Sequence, residues 1–131
     1  MLKLRKKFKT YSINCSAIKM GTNWNISIYG GDIPHIGAVA IGIPRLSLED
    51  KNKISSSVSL ITVTGHKEDI IVQNAAKIIS SKINNTVVVC CGIHIENITF
   101  EEIQDLNTVL DELIYELIYK ITEKSAITTY Q

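Results

Sequence analysis

The chain has 131 residues, 45% of them hydrophobic and 21% charged, with a formal net charge of +1. That length allows one compact core and not two. The near-neutral balance argues against duplex nucleic acid as a main partner, because phosphate binding needs a basic field. No apolar run approaches the roughly 20 residues of a membrane helix.

The start, "MLKLRKKFK", is basic and lacks a following apolar stretch. It reads as a solvated N-terminal arm over residues 1–9 rather than a signal peptide. The stretch "YSINCSAI" then alternates, with Tyr11, Ile13, Cys15 and Ala17 on one face and Ser12, Asn14 and Ser16 on the other. This is the pattern of a half-buried strand. After the turn "KMGTN", "WNISIY" alternates again, with Trp24, Ile26 and Ile28 inward, and the pair predicts a hairpin. "IGAVAIGI" is apolar on both faces and predicts a more central strand. "PRLSLEDKNKIS" connects it to a fourth strand, "SVSLITV".

The period changes in "GHKEDIIVQNAAKIISSKI". Ile71, Ala75, Ile78, Ile79 and Ile83 follow helical spacing, with acids early and lysines late. "NN" ends that helix, and "TVVVCC" is a short all-apolar strand of the buried, parallel type. Thr99 and Glu102 form a capping-box pattern that opens a last helix over about residues 100–122. Its many apolar residues exceed one face, which suggests a second buried contact, most simply a homodimer. The three cysteines, Cys15, Cys90 and Cys91, read as reduced, and the chain as cytoplasmic.

All three histidines stand beside glycine or proline at the border of an apolar run: "GGDIPHIG", "VTGHKED" and "CCGIHIEN". If "SVSLITV" and "TVVVCC" share a sheet they are parallel and end at one edge. An antiparallel "IGAVAIGI" begins at that same edge. The topology then gathers His35, His66 and His94 on one rim, together with Lys67 and the acids Asp32, Glu68, Asp69 and Glu96. Two helix starts there favour an anion, and Gly30, Gly31, Gly65 and Gly92 allow close approach of a ligand or of another backbone. A cradle for a phosphate-bearing polar ligand follows. A three-histidine metal site is the competing reading, although the spacing is not of the compact H-x-x-x-H kind. No nucleophile motif, P-loop or dinucleotide fingerprint is present.

Taken in order, "GGDIPHIGAVAIGIPR", "SVSLITVTGHKED" and "VVVCCGIHIENIT" resemble the LpdD-like prenylated-flavin chaperone family, the small accessory proteins of gallate and other UbiD-type decarboxylases. The resemblance implies a single α+β domain over 1–131. Its sheet would be mixed and mainly antiparallel, of about five to six strands with two long helices in the order β-β-β-β-α-β-α, similar to proteasome-assembly chaperones. It implies a non-catalytic role: binding prenylated FMN and assisting a UbiD-type decarboxylase, as a homodimer through the C-terminal helix or the sheet. Residue by residue it points to Gly30, Gly31, Pro34 and His35, to Gly65, His66, Lys67 and Asp69, and to Gly92, His94 and Glu96. Lys67 and the backbone at Gly65–His66 would hold the phosphate, and His35 and His94 the flavin ring or ribityl oxygens. The alternatives are a small metal-dependent enzyme using His35, His66 and His94, and a ligand-free assembly subunit.

Overall fold

The structure, a computed structural model, describes residues 1–63 and 68–130, with side chains through residue 123. The elements run β1 (Leu2–Phe8), β2 (Tyr11–Met20), β3 (Asn23–Gly31), β4 (Ala38–Leu46), β5 (Ile54–Thr62), α1 (Asp69–Ile83), β6 (Val87–His94) and α2 (Phe100–Tyr130). The fold is α+β: one six-stranded mixed sheet in the order β1-β2-β3-β6-β4-β5, with two helices. β6 runs parallel to β3 and antiparallel to β4. β5 is also antiparallel to β4. β5 and β6 are therefore parallel to each other, with β4 inserted between them.

The first strand is a correction. The basic start is not a solvated arm but the edge strand β1, paired along its length with β2 from Leu2↔Ala17 to Phe8↔Tyr11. Its alternation explains this: Leu2, Leu4 and Phe8 turn toward the core while Lys3, Arg5 and Lys7 face water. Lysines on an edge strand are also a common device against edge-to-edge association. Lys6 points to the helix side and reaches Glu116 of α2 at 3.1 Å.

Register places every inward residue of the sheet on one face. Cys15, Ile28, Cys91 and Ala38 stand in one row across four strands, and Ala17, Ile26, Val89 and Ala40 in the next. All eight are buried. α1 lays Val72, Ala75, Ala76 and Ile79 on this face and ends at Asn84, which adopts the left-handed conformation with φ 52°. At its far side Ser80 donates to the Ala76 carbonyl at 2.6 Å and meets the Ser56 hydroxyl of β5. Cys15, Cys90 and Cys91 are free.

The surplus apolar surface read on the last helix has a different explanation from the one expected. Leu106, Leu110, Leu113, Ile114, Leu117 and Ile121 are all buried within the single chain. α2 lies against both α1 and the β1 side of the sheet, so its wide stripe is covered from two directions. Only Phe100, Ile103, Tyr115 and Tyr119 remain exposed among its large apolar residues with described side chains.

Candidate functional site

The ends of β3, β5 and β6 and the start of β4 meet at one rim. At the end of β3, Gly31 (φ 81°) pairs with His94, and the next amide, Asp32 N–H, donates to the His94 carbonyl at 2.7 Å. The following segment crosses β6 closely: Gly37 N–H donates to the Cys91 carbonyl at 2.9 Å, and His35 N–H approaches the Gly92 carbonyl at 3.5 Å. A Cβ at Gly92 would overlap the backbone carbonyl of His35, so only glycine fits beneath this crossing. The glycines singled out in the sequence thus admit another stretch of backbone, and Gly30 is likewise buried against β2.

His35 is held on both ring nitrogens. Nδ1 lies 2.9 Å from the Ile33 carbonyl, which can only accept, so Nδ1 carries a proton. Nε2 lies 2.9 Å from Glu68 Oε1, with the two side chains 18% and 8% exposed. The same carboxylate oxygen accepts from Ile93 N–H at 3.3 Å. Glu68 stands at the N-cap of α1 yet does not cap its own helix. Its carboxyl instead lies over Gly37, where a Cβ would come within 2.6 Å of the carboxyl carbon. One buried carboxylate therefore ties the 32–37 segment, β6 and the start of α1 together.

A second, outer layer surrounds this tie. Asp32 Oδ2 accepts from Glu96 N–H at 2.9 Å and from the Tyr11 hydroxyl at 3.4 Å. His94 Nε2 meets Glu96 Oε1 at 3.0 Å, in a more exposed setting. Partial loss of water and then the neighbouring Asp32 charge push the Tyr11 phenol above its ordinary value. At the start of α2 the expected capping box is present: Glu102 N–H donates to Thr99 Oγ1 and Thr99 N–H to Glu102 Oε1, both at 3.1 Å. Lys9 reaches Glu102 at 2.8 Å. The Lys9 ammonium, with the Thr99 groups, holds the Glu102 carboxyl down at about 2.

Beside these polar layers, between the first turns of α1 and α2, lies a groove of about 410 Å³. Its wall is hydrocarbon from Ile70, Ile71, Ile93, Ile98, Ile103 and Leu106, while Glu68 and His94 stand at its polar side. The sequence reading searched for polar groups and missed this wall, and with it Glu68 as a pivot and Tyr11 as a rim donor. A signal existed: Ile95 and Ile98 keep recurring after the apolar strand has ended, where a solvated loop has no use for them.

The structure brings His35, His94, Glu96, Gly30, Gly31 and Gly92 to one rim, with Asp69 starting α1 beside it. His35, expected to touch a flavin, is turned inward onto Glu68 and Ile33 and does not line the groove. Gly65, His66 and Lys67 lie outside the described residues. Among the described residues no group of three His, Cys, Asp or Glu side chains is arranged to hold a metal ion, and His66, which the three-histidine reading requires, is not among them. Among the described residues no helix is long and apolar enough to cross a membrane.

No curated protein matches the chain. A family model does, over residues 7–122, a span that takes in every residue named above at the rim and the groove. The family is that of the prenylated flavin chaperone LpdD-like domain, and the chain belongs to it.

Proposed function

We propose that this chaperone holds prenylated FMN with its ring system in the groove between α1 and α2 and delivers it, in the cytoplasm, to a UbiD-type decarboxylase as a non-catalytic accessory protein. The observation that carries the reading is the groove itself. Its volume of about 410 Å³ falls in the range of small-molecule sites, roughly 300–1,000 Å³. A flavin enlarged by a prenyl-derived ring is broad, flat and largely hydrocarbon, with hydrogen-bonding atoms along one edge. Isoleucine walls with Glu68 and His94 at one side suit such an outline.

Orientation follows from charge. α2 begins with Glu101 and Glu102 and has a side-chain cap, so a phosphate is unwelcome there. α1 has no side-chain cap at its start, and Lys67 precedes it in the sequence. The phosphate is therefore assigned to the α1 side, with Gly65, His66 and Lys67 as its holders and Asp69 offset by Lys67. His94 and Glu96 face the polar edge of the ring, and Gly30, Gly31, His35 and Gly92 shape the rim. Once delivered, the cofactor supplies the decarboxylase with its reactive ring; the residues here bind, orient and shield it.

The test is anaerobic titration of the purified protein with reduced prenylated FMN, followed by flavin absorbance, with FMN in parallel. Ile103→Asp and Ile98→Asp each remove apolar contact from the wall and should weaken binding about tenfold, the equivalent of one buried aliphatic group or about 1.5 kcal/mol. Ile43→Ser, on the opposite face of the sheet, should leave it unchanged. A full-affinity Ile103→Asp, Ile98→Asp double variant refutes the groove as the site. Transfer to a purified apo-decarboxylase, read as recovered decarboxylation, tests the partner.

A further inference from the structure

A second cavity lies at the end of the sheet away from the rim, where the β2–β3 turn, the last turn of α1 and the later turns of α2 meet. Its volume is about 190 Å³, below the roughly 300–1,000 Å³ of organic cofactor sites. The 15 residues of α1 span about 22 Å, so this cavity and the groove are separate places. Lys19 and Lys82 bring ammonium groups to it, Thr22 and Thr122 hydroxyls, and Trp24 its indole. Among the described residues no acidic side chain lines it.

Lys82 has an ordinary explanation, because a cation in the last turn offsets the negative end of a helix. Lys19 does not. The inward row of β2 runs Ile13, Cys15, Ala17 and then Lys19, which pairs with Trp24 of β3. A lysine in that row carries its charge toward the helices rather than away from them. Among the described residues neither lysine has an ion-pair partner. Asn85 Nδ2 donates to the Ile83 carbonyl at 3.0 Å, which occupies one of the helix-end carbonyls that would repel an anion. Trp24 is 4% exposed and is pinned by its backbone N–H, which donates to the Thr86 carbonyl at 3.2 Å. Buried indole N–H groups usually find a partner, yet among the described residues this one makes no hydrogen bond. We propose that the cavity binds a small oxyanion, a carboxylate or a phosphate, which accepts from the Trp24 indole N–H and lies under the Lys19 and Lys82 ammonium groups. A neutral guest would leave both charges unanswered, and a cation would be repelled.

Trp24 is the only tryptophan of the chain, so its fluorescence and its single indole N–H signal in NMR report on this cavity directly. The probes are inorganic phosphate and, separately, isobutyrate, each titrated against chloride at matched ionic strength. At least one of the two should give a saturable change in both signals. Tighter binding of phosphate assigns the site to a phosphoryl group; tighter binding of isobutyrate assigns it to an organic acid whose hydrocarbon rests on Ile83 and Ile121. Lys19→Gln and Lys82→Gln should each weaken binding roughly threefold to tenfold, as expected for one charge-assisted contact partly open to water. The double variant should lose the response. Both lysines are exposed, so an unchanged circular dichroism spectrum is expected of every variant. Lys51→Gln, which removes the same charge from the turn before β5, should bind as the wild type does. A wild type with no saturable response to either anion up to tens of millimolar overturns the proposal. So does a response that chloride reproduces, or one that survives in the Lys19→Gln, Lys82→Gln double variant. None of these readouts involves flavin, so the result stands apart from the groove.

Discussion

Replacing Glu68 by alanine is the most informative single change at the rim. It removes the carboxylate 2.9 Å from His35 Nε2 and 3.3 Å from Ile93 N–H, in a place where the Glu68 side chain is 8% exposed. Leaving a buried hydrogen-bonding group without its partner costs roughly 1–3 kcal/mol, and more where the group is charged. Here His35 retains some contact with water, and the space vacated opens onto the groove, so about 2–3 kcal/mol is the expected loss. For a chain of this size that lowers Tm by about 8–12 °C. The decisive assay is a double-mutant cycle in urea with Glu68→Ala, His35→Ala and the double variant, comparing midpoints at equal m values. If the two groups act as one tie, removing the second costs little once the first is gone, and the coupling is about 1.5–3 kcal/mol. Effects that add to within about 0.5 kcal/mol would refute the reasoning.

Three further outcomes follow from the same physics. Gly92→Ala puts a Cβ into the His35 carbonyl; it should destabilise by more than about 3 kcal/mol, read by urea unfolding, because backbone must move. The Glu102 carboxyl is depressed by Lys9 and Thr99, so its stabilising share is present above the ordinary carboxylate range and is lost as pH falls toward about 2. The gap in urea midpoint between wild type and Glu102→Gln should be widest above about pH 5 and close on acidification; a gap independent of pH contradicts the assignment. Burial pushes the Cys15 thiol up to about 12 and raises Cys91 as well, so at pH 8 neither should react with a maleimide until the chain is unfolded, as peptide mapping would show.

Much of this protein could be read directly from the chain. The alternation of "YSINCSAI" and "WNISIY" told which face of the hairpin is buried, because a strand has period two whatever surrounds it. Thr99 and Glu102 announced the start of α2, because a cap is a bond between residues three apart. The gathering of His35 and His94 followed from short connections and a βαβ unit, which leave few ways to arrange the strands.

The remainder depended on contacts between distant residues. β1 looked like a charged tail because its lysines are conspicuous and its inward Leu2, Leu4 and Phe8 have meaning only once β2 lies beside them. The stripe on α2 looked too wide until α1 supplied a second wall. His35 became an internal tie because Glu68, far along the sequence, swings its carboxylate over Gly37, and no local pattern encodes that meeting. Periodicity and capping are local, so sequence determines them alone; which polar group meets which, and which apolar face stays open, is settled by the packing of distant segments against one another.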